Sequence, residues 1–239
     1  MKILALDSSG LVASVAVIED DNLLAEYTVN YKKTHSQTLL PMLDEIARMT
    51  NLNLETLDAI AVAAGPGSFT GLRIGSATAK GLGLALKKPL VGVPTVEALA
   101  YNLYDTQGFI CPIMDARRNQ VYTGIFEFCD HEMVTVKPQM AVGVEELVTE
   151  LNERGREVTF LGDGVSVYKE LILSKIQVPC FFAPVHLNKQ RAGAVAALGK
   201  KYFMEGKIET AMEHQPEYLR VSQAERERAE REAKKDGTN

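Results

Sequence analysis

The sequence predicts a duplicated α/β protein: two lobes, each a mixed sheet flanked by helices, with a cleft between them. Three short β-prone runs followed by alternating helices and strands occur twice in order, and a carboxylate, Asp7 or Asp115, closes the first strand of each half. Identity between the halves is slight, so the order of elements carries the argument. The chain has 239 residues, 46% hydrophobic and 24% charged, an ordinary globular composition. That length suits one large or two small domains burying about 70% of the unfolded surface. The expected division is a first lobe over 1–105, a second over 106–221 whose last helix braces the first, and a charged tail over 222–239.

Ile3 to Leu6, Ala13 to Ile18 and Leu23 to Asn30 are the first three strands, separated by the turn residues Ser8-Ser9-Gly10 and Asp20-Asp21-Asn22. A helix then starts near Thr34 or Ser36, with Leu39, Met42, Leu43, Ile46 and Met49 as its apolar stripe. Pro41 falls in its first turns, where it is tolerated or kinks the helix mildly. Asp58 to Ala63 reads as a buried strand, followed by a glycine-rich helix, the strand Leu90 to Val93, and a helix opened by Pro94-Thr95.

After Gly108 the order returns. Ile110 to Met114, Val121 to Phe128 and Met133 to Pro138 are strands, Val144 to Asn152 is a helix, Val158 to Leu161 a strand, and Val165 to Leu173 a helix beyond Gly162-Asp163-Gly164. Arg191 to Glu205 is the bracing helix. From Ser222 onward five acids face five bases with only alanines for apolar contact, so a frayed helix or a disordered tail is expected.

The run Gly65-Pro66-Gly67-Ser68-Phe69-Thr70-Gly71 sits between a strand and a helix, where a phosphate-binding loop would lie. Such a loop needs a Lys-Ser or Lys-Thr pair after its last glycine, whereas Leu72 and Arg73 follow here. The helix carries a ridge instead: Gly71, Gly75, Ala79 and Gly83 fall four apart on one face. Each glycine inside a helix costs about 0.5–1 kcal/mol relative to alanine, so close packing must compensate. The ridge suits either a tight seat on the chain's own sheet, the commoner use, or a helix from another chain.

A net charge of −5 argues against a general polyanion-binding surface. Cys111, Cys129 and Cys180 are odd in number and unpaired in spacing, as expected of reduced cytosolic thiols. His35, His131, His186 and His214 show no metal-ligand spacing. Asp7 interrupts the first apolar run before secretory length, and no run of about 18 apolar residues follows, so a cytoplasmic protein is expected.

Ile3-Leu4-Ala5-Leu6-Asp7-Ser8-Ser9, the run from Gly65 to Gly75, Asp115-Ala116-Arg117-Arg118 with Val121-Tyr122, and Tyr218-Leu219-Arg220 closely resemble the TsaB (YeaZ) family, in matching order over residues 1 to about 220. The resemblance implies the duplicated actin/hsp70/sugar-kinase-like (ASKHA) fold. It also implies the role of a non-catalytic subunit in forming threonylcarbamoyladenosine at position 37 of tRNAs that read A-starting codons. The implied partners are a TsaD-like transferase, a TsaE-like ATPase in a larger complex, and a second copy of the chain through the same helices. tRNA is met only through the complex, and no membrane is involved. The resemblance further implies a partner interface on the two first-lobe helices, at Leu39, Met42, Leu43, Ile46, Gly71, Gly75, Ala79 and Gly83.

Two departures bear on chemistry. Thr95 and Leu99 stand where the TsaD-like pattern places its two metal-binding histidines, and neither is a usual ligand. The loop after Asp7 has no Lys or Arg until Lys32, so the phosphate clamp of the sugar-kinase relatives is missing. No catalytic or metal residues are assigned and no cofactor is required, ATP and a divalent metal being expected on the partners. Asp7, Ser8 and Ser9 are the remaining cofactor candidates; they either order a metal-bound phosphate or satisfy turn amides. The competing readings are a small-molecule kinase or ATPase, which needs a clamp not found, and a metallopeptidase, which needs a constellation not found.

Overall fold

In the computed structural model, which describes residues 1–31 and 34–220, the chain builds two five-stranded sheets of like topology. The tail expected from Ser222 lies outside the described residues. The first half runs β1 (Lys2–Asp7), β2 (Ala13–Glu19), β3 (Asn22–Val29), α1 (His35–Thr50), a 3₁₀ turn (Leu54–Thr56), β4 (Ala59–Gly65), α2 (Phe69–Leu86), β5 (Leu90–Pro94) and α3 (Thr95–Tyr101). The second runs β6 (Phe109–Asp115), β7 (Gln120–Cys129), β8 (Glu132–Gly143), α4 (Val144–Arg154), β9 (Val158–Leu161), α5 (Val165–Lys175), β10 (Cys180–Phe182) and α6 (Ala192–Met204). The sheet orders are β3-β2-β1-β4-β5 and β8-β7-β6-β9-β10, the same winding twice. Within each, the first three strands are antiparallel and the last two join in parallel.

Local chemistry accounts for the elements. β1 is central and covered on both faces, which is why its alternation vanishes into the run Ile3-Leu4-Ala5-Leu6, all buried. The hairpin turns use left-handed Asp20 (φ 53°) in the first lobe and Asp130 and His131 (φ 51° and 65°) in the second, residues that tolerate positive φ. Met49, expected on the buried stripe of α1, is 74% exposed at the stripe's margin in the last turn. β10 was not anticipated, because three residues carry no period to read.

α3 and α6 occupy equivalent places in the repeat, yet both serve more than their own half. α6 lies across β1, β2, β4 and β5 of the first sheet, so close that a Cβ on Gly199 would fall 2.6 Å from the Cβ of Ala61. α3 leans onto the second sheet, where Val96, Leu99, Ala100 and Leu103 pack with Ile110, Met114, Phe126 and Leu161. That apolar cluster joins the lobes at the base of the cleft.

The eight residues assigned to a partner interface require correction, since every one of them is buried inside the chain. Leu39, Met42, Leu43 and Ile46 enter the core with Leu4, Leu6, Val15, Val17, Ile60 and Val62 of the sheet. Gly71 and Gly75 press against the loop after β1: added Cβ atoms would lie 2.1 Å from the Ser8 carbonyl oxygen and 2.5 Å from Ser8 Oγ. A Cβ on Gly83 would meet the Leu90 side chain at 3.0 Å, and Ala79 is fully covered in the same core. Four-residue spacing identifies a smooth helix face but not what lies over it. Here it is the chain's own sheet and turn.

Candidate functional site

Between the lobes opens a cleft of about 730 Å³. From the first lobe it takes Ser9 and Gly10 of the β1–β2 loop, His35 at the start of α1, and Ser68, Phe69 and Thr70 at the N-terminus of α2. The second lobe contributes Asp115 from the end of β6, Arg117 and Asp163; Lys189 and the segment Tyr218-Leu219-Arg220 complete the wall. The sequence had marked Asp7 and Asp115 as strand-end carboxylates facing the cleft and Ser9 as a cofactor candidate; Asp115 and Ser9 line it, whereas Asp7 is buried behind the turn and does not. Asp163, Lys189 and Arg220 arrive from distant segments, the first signalled only by its Gly162-Asp163-Gly164 turn.

The carboxylates are tied to their neighbours. Asp115 Oδ1 accepts from the Arg117 amide (2.8 Å) and the Tyr168 hydroxyl (2.9 Å), while Asp163 Oδ1 accepts from the Asp115 amide (3.1 Å). Burial, and then the bond to Asp115, push the Tyr168 phenol up to about 12, so it remains a donor. Burial likewise raises the Asp163 carboxyl above the usual carboxylate range, against the opposing bond from the Asp115 amide. Arg117, Arg118 and Asn119 are three consecutive residues at positive φ (66°, 56° and 56°), a strained turn at the cleft edge.

Asp7, Ser8 and Ser9 have internal partners. Asp7, 1% exposed, accepts at Oδ1 from the Ser9 amide (2.9 Å) and Ser9 Oγ (2.7 Å), and Ser8 Oγ donates to the Gly71 carbonyl at 2.8 Å. Burial lifts the Asp7 carboxyl above its ordinary value, with the Ser9 bonds opposing. A folded-state pKa above the unfolded one means that stability is lost as pH rises from the ordinary value of 3.8 through the folded value. Asp7→Asn keeps the acceptor and sheds the buried charge. It is expected to be more stable than the parent at neutral pH, the gap closing on acidification toward the ordinary carboxylate range, as checked by denaturant unfolding at a series of pH values.

A second candidate is the outward side of α1 and α2, which lie against one another. Opposite its buried ridge, α2 exposes Ala77, Gly81 and Leu84, and a Cβ on Gly81 would meet nothing within 4 Å. Leu40 and Met49 of α1 and Leu84 of α2 are 53%, 74% and 63% exposed. This flat, small-residue face of α2 was missed because the buried ridge satisfied the same four-residue rule, while Leu40 and Met49 stand on opposite sides of α1.

The sequence profile of the family described as "TsaD: tRNA N6-adenosine threonylcarbamoyltransferase" matches residues 22–228. The Bacillus subtilis (strain 168) protein named tRNA threonylcarbamoyladenosine biosynthesis protein TsaB is 35% identical, across 94% of this chain and 96% of its own. An Escherichia coli (strain K12) protein of the same name is 30% identical over 72% and 75%. A tRNA N6-adenosine threonylcarbamoyltransferase from Fervidobacterium nodosum is 34% identical over only 44% of this chain and 35% of its own length. The solved structure of YeaZ from Pseudomonas aeruginosa superposes with a TM-score of 0.78 at 25% identity, covering 91% and 99% of the two chains. A polyphosphate/ATP-glucomannokinase from Arthrobacter sp. strain KM, at 11% identity and a TM-score of 0.51 over 85% and 99%, shares the fold alone.

Proposed function

Because the chain belongs to the TsaB (YeaZ) family, within the wider grouping whose profile bears the transferase's name, we propose that it is the non-catalytic subunit required for threonylcarbamoyl transfer to adenosine 37 of tRNAs reading A-starting codons, acting by binding and activating a TsaD transferase. The observation that carries this reading is the contrast in coverage: end-to-end likeness to a TsaB protein against likeness to little more than a third of a transferase.

Side-chain placement supports it. Thr95 Oγ1 accepts the Gly65 amide at 3.1 Å and is buried, and Leu99 belongs to the apolar cluster between the lobes. Where the transferase pattern would place metal ligands, this chain keeps packing residues. The kinase or ATPase alternative loses ground for a similar reason, since Asp7 and Ser9 close their own turn and Ser8 Oγ is given to the Gly71 carbonyl of α2.

The exposed face of α1 and α2 is the surface we assign to the transferase, and a second copy of the chain would compete for it. ATP, the divalent metal and tRNA belong to the partners, a TsaE-like ATPase among them, in the cytoplasm. Reconstitution tests the proposal. Modified adenosine should form only when this chain and a TsaD transferase from the same host are both present; product from this chain without the transferase, or full yield from the transferase without this chain, would overturn it.

A further inference from the structure

Beyond α6 the chain turns back at Gly206 (φ 74°) and runs along the open edge of β5, where the amides and carbonyls of Glu209 and Leu90 pair in both directions at 3.0 and 2.8 Å. Ala211 enters the first-lobe core, the His214 carbonyl accepts from Lys80 Nζ at 2.8 Å, and the Glu217 amide donates to the Ala64 carbonyl at 2.7 Å. Gly65 makes room for this passage: at φ 117°, a Cβ there would stand 2.2 Å from the Glu217 carbonyl oxygen. To this point the segment belongs to the first lobe.

Its last four described residues reach across. The Tyr218 ring packs on Phe69 of α2 with centroids 4.7 Å apart, and the Arg73 guanidinium covers the other partner of that pair at 3.9 Å from the Phe69 centroid. Glu217 Oε2 accepts from Gln139 Nε2 of β8 at 2.6 Å, and Arg220 Nη1 donates to the Ala116 carbonyl, beside the strained turn at 117–119. We propose that Glu217 to Arg220 form a clasp that holds the inter-lobe cleft at a fixed opening. One end is anchored on β4 and α2 and the other grips β8 and the β6–β7 turn, opposite the apolar hinge around α3. Enzymes that work through a cleft of this kind open and shut it, whereas a clasped cleft keeps the lobes as one rigid body.

Hydrogen exchange on the full chain tests the clasp. Arg220→Ala combined with Gln139→Ala removes the second-lobe grips without touching a core side chain. The Ala116 and Gln120 amides, paired within the turn, should then exchange on the order of tenfold faster, while Leu90 and Glu209 keep their parental rates. Gln139→Glu sets a carboxylate against Glu217 and should loosen the same amides, and adding Glu217→Gln should restore them. Unchanged exchange at Ala116 and Gln120, equal acceleration at Leu90 and Glu209, or failure of Glu217→Gln to rescue would each overturn the clasp.

Discussion

Gly75→Leu is expected to yield no folded protein, and Gly71→Ala to fold with a deficit of about 3 kcal/mol. At Gly71 even one methyl would stand 2.1 Å from a backbone oxygen, that of Ser8, which cannot swing aside as a side chain would. At Gly75 the group in the way is Ser8 Oγ at 2.5 Å, held by its bond to the Gly71 carbonyl, with Val62 behind it at 3.7 Å. A leucine must therefore push α2 off the sheet. Replacing glycine within a helix returns only about 1 kcal/mol of propensity, and a domain's whole stability is about 5–15 kcal/mol. Denaturant unfolding followed by circular dichroism reads the Gly71→Ala deficit, and loss of the folded circular dichroism signal or of soluble protein marks Gly75→Leu. A Gly75→Leu variant as stable as the parent would mean that α2 does not sit on the β1 loop.

Arginine on the other side of the same helix should have the opposite signature. Gly81→Arg meets open space and gains helix propensity of about 1 kcal/mol, so folding should be unharmed or improved. Leu84→Arg alters a side chain already 63% exposed and should be equally well folded. In a complex seated on this face, either change would bury an unpaired charge between closely approaching helices. Capture of the transferase should weaken by about a hundredfold or more, roughly 3 kcal/mol. Light scattering and pull-down with the purified transferase measure this directly. Folded variants that bind at parental strength would remove the α1/α2 face from the interface, leaving the assignment of the buried glycines unaffected.

Much of the architecture was legible because each half writes its strands in short apolar runs bounded by turn residues, and because Asp7 and Asp115 mark equivalent ends of β1 and β6. The glycine helix was legible as a close-packing surface, but spacing could not tell which of its two small-residue faces met the sheet. That choice is made by contact with Ser8, some 63 residues away in sequence from Gly71. The cleft was legible only in part for a related reason. Ser9 and Asp115 announce themselves at or just beyond strand ends, whereas Lys189 lies in the connection before α6 and Arg220 reaches the cleft by the return of the chain after it, and neither leaves a local periodicity to read.

The placement of α6 and the segment after it governs the order in which the protein can be completed during synthesis. The second sheet is assembled from residues 109–182, one continuous stretch, whereas the first is covered by α6 and edged at β5 by Glu209, and the Ala192 amide bonds to Ser14 Oγ across 178 residues. The first lobe must therefore wait with one sheet face bare and one edge unpaired until α6 and Glu209 emerge, about ten seconds or more after β1 at common elongation rates. Nascent-chain aggregation and chaperone capture should concentrate on β5 and the α6-facing side of β1 and β4 during that interval. A circular permutant beginning near residue 189 would supply the cover first and shorten the exposure.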